Sequence, residues 1–416
     1  MKHIIPKTLA ALRVLFGLVL YGWVREAPVG RVKRWVLRAL SRKALRPVAM
    51  GAGASRSYTL QPPSSFVVAS PAFVGMAPVI TEGRFPEVRA HLVEDAVVSP
   101  YASGVVQGER LLVPDIILKN RHRHSTDGGN LYWLGQRNCV GRIIRQETVA
   151  EGLLIGGAGA FNWYHFVMEC LPKAYLARGL PEEMKDWPLL VPEECIRVAG
   201  FEHALKLFSG DRPVRPVPRG AAVQVGRAVT FDEVNYGPFN LYKGSWPAPD
   251  DYCQHDDTLR QYISVLRAGL LGSELRPKPV RRIFLVRPAT RRNYNQDALV
   301  EIASRYGFEP HAPEKLPLAD QAALFADAEM VIGASGAAWV GMAFCATGTR
   351  MLSWLPREYS GFCCYSTLAH LLGHRMQFVR AIPDRLLKDT ADAFDHSYRL
   401  DEGDFEAALQ YMIDGK

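Results

Sequence analysis

The sequence predicts an α/β protein: two doubly wound domains facing across a cleft, with a β-rich amino-terminal portion and a basic amphipathic helix before it. Three observations carry this expectation. From residue 150 onward, strand-like and helix-like runs alternate. Two apolar strand ends break on small residues and continue as helices, "LLIGGAGAFNWYHF" (153–166) and "VIGASGAAWVG" (331–341). The chain is 416 residues long and 48% hydrophobic, enough for two or three domains with real cores.

Taken in order, the chain begins with "LAALRVLFGLVLYGWV" (9–24), apolar but interrupted by Arg13 and short of the ~20 clean residues a spanning helix needs. Residues 25–46 come next, with eight Arg and Lys against the single acid Glu26, +7 of the chain's net +8. In "RVKRWVLRALSRKAL" the apolar Val32, Trp35, Val36, Ala39 and Leu40 share a helical face, a pattern suited to an anionic membrane surface. The expectation is peripheral attachment to the cytoplasmic face of the inner membrane, with a solvated arm or a single-pass anchor through 9–24 as alternatives. The remainder is close to neutral, which argues against nucleic acid as a partner. Seven cysteines, none in a C-x-x-C pair, form neither a zinc site nor a disulfide framework and suit a reducing compartment.

Residues 47–62 read as a linker. "SFVVAS", "VRAHLVEDAVVSP", "RLLVPDIIL" and "GRIIRQETVAEGLLIGG" read as strands, with a turn at Asp127–Gly129. A helix is expected over 160–178, in a run stopping at Pro172, and a surface loop near 236–256. Another helix is expected around 257–272, then a hinge at "RPKPVRR". The last third is the clearest, with strands "RRIFLVR", "EMVIG", "TRMLSWLP" and "HRMQFVRA" separated by helical runs.

Two stretches could carry chemistry. With Asn162 as N-cap, Asn162, His165, Glu169 and Lys173 fall on one helical face, while Tyr164, Met168 and Leu171 lie opposite. An amide, an imidazole and a carboxylate then face the strand ends, where ligands of open α/β sheets sit. An ordinary capped helix with an i,i+4 His–Glu pair is the bland alternative. In the second stretch, Gly333 and Gly336 are spaced wrongly for a dinucleotide fingerprint, which disfavours an oxidoreductase, and there is no P-loop sequence. A diphosphate seat of backbone N–H groups with the Ser335 hydroxyl remains, competing with a turn that needs small residues only for packing. "IFLVRPATRRNYNQ" sets Arg287 at a strand's carboxyl end, with Arg291, Arg292 and Asn295 beyond it. Arginine's fixed donors suit phosphate. No D-x-D sequence occurs and no metal is expected; cations and helix dipoles would stabilise the leaving group.

These residues together resemble glycosyltransferase family 61. The matches are "NWYHFVMECLPKAY", "RRIFLVRPATRRNYNQDAL" and "GFEPHAPEKLPLADQAALFADAEMVIGASGAAWVGMAFCATGTRMLSWLP", over residues 153–178 and 281–356. Three positions depart from the family pattern: Ser335 stands for its His, Gln296 for its Glu, and Ser353 for an acid. The resemblance implies a GT-B-like fold of two Rossmann-like domains and metal-independent, inverting sugar transfer without a cofactor. The donor would be a nucleotide sugar, UDP-linked, and the acceptor a cell-surface polysaccharide or lipid-linked glycan. The implied division is a membrane-associating arm at 1–50, an acceptor-side domain at 60–272, a nucleotide-sugar-binding domain at 275–400 and a closing helix at 401–416. His165 is the first candidate for the base, with Glu169 orienting it or acting itself. Asn162 and Lys173 fall on the acceptor side; Arg287, Arg291, Arg292, Asn295, Gln321, Ser335, Gly336 and Ala337 fall on the donor side. A catalytically degenerate scaffold that binds polysaccharide or a biosynthetic partner is the alternative.

Overall fold

The computed structural model describes residue 37 and residues 42–124, 126–136, 138–142, 147–238, 241–242, 244–272, 279–288 and 292–415. The apolar stretch 9–24 and nearly all of the expected basic helix lie outside the described residues. Among the described residues, no helix is long and apolar enough to cross a membrane.

Runs rich in valine and leucine build the amino-terminal sheet, because β-branched side chains pack well on a pleated surface. Its strands are β1 (Arg46–Ala49), β2 (Arg56–Gln61), β3 (Val88–Val98), β4 (Val105–Gln107), β5 (Arg110–Val113), β6 (Glu147–Leu154), β7 (Leu189–Pro192), β8 (Val214–Val217) and β9 (Val223–Phe231). They lie in the order β8-β7-β6-β9-β3-β4-β5-β1, with β2 also paired to β3. β6 is parallel to β7 and to β9, whereas β9, β3, β4 and β5 alternate in direction. The chain lays β7 and β8 on one side of β6 and β9 on the other, so the strand order reverses beside β6. Asp95 in β3 has φ 50° and drops out of the pairing with β9, while the register is the same on either side of it. Gly226 lies at the same level, and a Cβ there would meet the Ala150 carbonyl oxygen at 2.8 Å. Helices α1 (Trp163–His165), α2 (Leu171–Leu176), α3 (Ala199–Ser209) and α4 (Asp256–Leu271) belong to this half.

The second sheet comprises β10 (Arg281–Leu285), β11 (Phe308–His311), β12 (Ala328–Gly333), β13 (Arg350–Pro356), β14 (Arg375–Pro383) and β15 (Tyr398–Arg399). Its order is β11-β10-β12-β13-β14-β15; the first five strands are parallel and β15 is antiparallel. "IFL" in β10 and "MVI" in β12 are buried, as parallel strands covered on both faces must be. The strand order reverses between β10 and β12. Helices α5 (Gln296–Ser304), α6 (Leu318–Ala326), α7 (Cys364–Leu371) and α8 (Glu402–Ile413) accompany this sheet.

One continuous hydrophobic core joins both halves, from Leu45 to Ala393. A hairpin of Ser64–Ala69 and Ile80–Phe85 crosses from the first half to the second. Ala69 N–H donates to Thr367 Oγ1 at 3.1 Å, Ser366 Oγ donates to Ala69 O at 2.7 Å, and Phe73 bridges to Phe378 of β14.

Several local expectations are corrected. Arg42–Ala44, read as the end of the basic helix, is a strand paired with Val140–Arg142, and the expected linker contains β1 and β2. In "RLLVPDIIL" only β5 is a strand; Pro114 ends it and Asp115–Asn120 is a helix. The 236–256 segment is not a surface loop throughout: Asp251 is fully buried, and Cys253–Gln254 pairs with Asn235–Tyr236. Arg123 and His124 hold that aspartate in place. The run through Pro172 does not stop there, for a reason that lies in the site itself.

Candidate functional site

The glycines after β6 are not alike. A Cβ on Gly156 would meet Pro100 O at 2.2 Å and Gly159 has φ 81°, whereas a Cβ on Gly157 would make only ordinary contacts with Ser103 and Cys170. Asn162 then caps α1, its Oδ1 accepting from Tyr164 N–H at 2.9 Å. Between α1 and α2 the backbone widens into a π turn, Phe166–Cys170, a feature frequent at functional sites. Pro172 has no N–H to give, and the wide turn frees carbonyls that would otherwise lack partners. Tyr262 Oη donates to Val167 O at 2.6 Å and Asn235 Nδ2 to Met168 O at 3.3 Å, so the helix continues to Leu176.

His165 and Glu169 straddle that turn, with Nδ1 and Oε2 2.9 Å apart. The imidazole is 15% exposed and the carboxylate 8%. Burial is the largest single influence on His165 and opposes its charge. The charge and hydrogen bond of Glu169 together outweigh it, so the His165 pKa lies above its usual 6.5. Glu169 Oε1 is buried without a hydrogen-bond partner, in a narrow gap beside Gly237 and Cys364. Lys173 is 3% exposed and turned away from the pair. Its Nζ donates to Gly156 O at 2.7 Å and to Glu233 Oε1 at 2.9 Å, joining the carboxyl ends of β6 and β9.

At the second strand-order reversal, β10 delivers Arg287 and β12 delivers Ser335, Gly336 and Ala337. Arg287 Nη1 donates to Ser335 O at 3.2 Å. Gln296 grips the Arg287 backbone at both ends: Oε1 accepts from its N–H at 2.7 Å, and Nε2 donates to its carbonyl at 3.2 Å. Tyr294 Oη donates to the same Gln296 Oε1 at 2.8 Å. A glutamate at 296 could make only the accepting contact while ionised, so the amide closes a bracket that a carboxylate leaves open. The three glycines of "VIGASGAAWVG" differ in purpose. Cβ atoms on Gly333 and Gly341 would strike Leu285 and Phe325, which is packing; at Gly336 the nearest atoms are 3.8 Å away, with the Arg287 guanidinium carbon at 4.0 Å. Gly336 therefore keeps backbone open beside a cation. Beyond it the chain continues as the expected helix, of 3-10 type, Ala337–Phe344.

The two motifs meet. α1 packs against Ala337–Phe344, and the Tyr164 ring stands edge-on to Tyr365 at 5.4 Å between centroids. Tyr365 lies beside Ser335, Arg287 and Arg292. A cavity of about 50 Å³ opens there, with Arg292, Ser335, Tyr365 and His396 in its wall.

Residues 163–352 match the family described as Glycosyltransferase 61. Over that span the chain is similar to glycosyltransferase family 61. No curated protein matches the chain. The matched span contains His165, Glu169, Arg287 and the Ser335–Ala337 turn, so it holds both meeting motifs. Arg291 lies outside the described residues. Asn295, placed at the donor from sequence, binds Leu400 instead, donating from Nδ2 to its carbonyl at 3.0 Å and accepting from its N–H at 3.1 Å. Gln321 bends back to Leu316 O at 3.0 Å, and Ser353 is fully buried in β13. Sequence reasoning missed the bracket of Gln296, the Tyr164–Tyr365 contact and Glu233. The acid of "FDEV", directly after an apolar strand, was the available signal for Glu233.

Proposed function

We propose that the chain is a metal-independent, inverting glycosyltransferase of GT-B-like architecture, moving a sugar from a nucleotide-sugar donor, UDP-linked, to a cell-surface polysaccharide or lipid-linked glycan. The observation that carries this reading is the packing of α1, with its His165–Glu169 pair, against the turn that holds Gly336 beside Arg287. Arg287 and Arg292 offer the diphosphate permanent charge, and the open backbone at Gly336 admits it. Glu169 holds His165 by Nδ1, and Nε2 is the atom assigned to the proton transfer. The acceptor hydroxyl oxygen bonds to the anomeric carbon as the bond from that carbon to the diphosphate oxygen breaks. The hydroxyl proton passes to His165 Nε2, and the nucleoside diphosphate leaves towards the arginines. The basic stretch 25–46 would keep the enzyme at an anionic cytoplasmic leaflet, near lipid-linked acceptors.

The test is thermal stabilisation by UDP-, GDP-, CMP- and dTDP-sugars, with and without EDTA. A chelator-insensitive rise with the UDP sugars, lost in Arg287→Ala, is the expected result. No rise with any donor would leave a non-catalytic scaffold.

A further inference from the structure

A cavity of about 700 Å³ lies not at the arginines but in the amino-terminal half. It lies against the first strand-order reversal: Asp232 and Glu233, directly after β9, form part of its wall. Tyr252 lines both this cavity and the narrow gap beside Gly237 into which Glu169 Oε1 faces. Size and placement at a reversal are those of a ligand site.

Its chemistry is specific. The wall's five acids face the cations Arg84, Arg89, Lys119 and Arg123, with Lys173 behind Glu233, and three of the acids are held by partners. Asp232 binds His91 at 2.9 Å, Asp251 binds Arg123 and His124 at 2.9 Å each, and Glu233 binds Lys173. Counting Lys173, the cations and acids around the site balance in number. Phe66, Phe85 and Tyr252 supply aromatic surface. Asn120, also in the wall and 4% exposed, has its Nδ2 buried without a hydrogen-bond partner, a donor still to be satisfied. Aromatic faces beside planar amide, carboxylate and guanidinium groups, with charge balanced internally, fit a ring whose faces are apolar and whose rim carries hydroxyls.

We infer that this cavity seats an uncharged saccharide unit of the acceptor glycan, with Asn120 Nδ2 donating to one of its oxygens. The inference rests on the glycosyltransferase reading for the word acceptor, but not for the binding itself. The full chain is applied to an array of neutral oligosaccharides and of uronate-, sulfate- and phosphate-bearing ones. Nucleotide-sugar stabilisation is measured on the same preparation. The expected result is retention of neutral oligosaccharides, weakened at least tenfold in Asn120→Ala and in Ile116→Trp, which fills the cavity. Asn120→Ala removes an unsatisfied donor, so its melting temperature and its nucleotide response should hold. Retention of charged glycans alone, retention of none, or neutral binding equal in both variants would overturn the assignment. If neutral glycans bind as expected while no nucleotide sugar does, the cavity stands and the transferase reading falls; the opposite pattern removes the cavity alone.

Discussion

The molecule contains two strand-order reversals, and they are treated in opposite ways. Beside β6, the reversal is closed by a cation that is 3% exposed and bound to a carboxylate and a carbonyl. Between β10 and β12, the cation Arg287 is half-buried, and its guanidinium donates to the Ser335 carbonyl with Gly336 open beside it. A lysine sealed into an ion pair holds two strand ends together; an arginine held by its backbone can meet a ligand. The same topology thus yields a sealed ion pair in one half and a half-buried cation beside open backbone in the other.

That contrast can be broken by substitution. The largest effect is expected from His165→Ala, which should lower turnover by ~10²–10⁴-fold while leaving donor-induced stabilisation intact. Unchanged turnover would move the base elsewhere. Next, Lys173→Met should destabilise the fold by about 3–5 kcal/mol in denaturant titrations, because it strands a buried carboxylate. The double variant Lys173→Met with Glu233→Leu should recover most of that loss. If Lys173→Met instead weakened donor binding at unchanged stability, the two reversals would not differ as described.

Smaller effects sharpen the picture. His165 must be neutral to accept a proton, and its pKa lies above 6.5. Activity should therefore rise with pH through an inflection above 6.5, and Glu169→Gln should shift that inflection downward, since burial then acts alone. Stability runs the other way: the His165–Glu169 contribution is fully present below the unfolded histidine pKa and is lost as pH rises through the folded one. A pH profile unmoved by Glu169→Gln would uncouple the pair. Smallest, Gln296→Ala should raise the donor KM about fivefold, roughly 1 kcal/mol of lost positioning, with kcat preserved. A fall in kcat alone would point to a different role.

Much of the second sheet was legible, because parallel strands buried on both faces leave continuous apolar runs such as "IFL" and "MVI". The His165–Glu169 pair was also legible, since i,i+4 spacing survives the π turn. Lys173 was not. A π turn holds an extra residue, which rotates everything beyond it by about 100°. A wheel drawn on α spacing therefore set Lys173 with His165, whereas the structure turns it to Glu233. Asn295 was misplaced for another reason: its partner, Leu400, is over a hundred residues away and leaves no local trace. In the region 60–150 strands such as β3 were legible but their pairing was not, because the partners are distant in sequence, as β9 is for β3.

The crossing hairpin has a mechanical consequence. Its ties to Thr367, Ser366 and Phe378 anchor sequence from the first half on the second. Shearing one sheet past the other would have to tear those ties, and a fragment cut in the segment before β10 would leave α7 without the strand that covers it. Through this hairpin the two halves are stitched together.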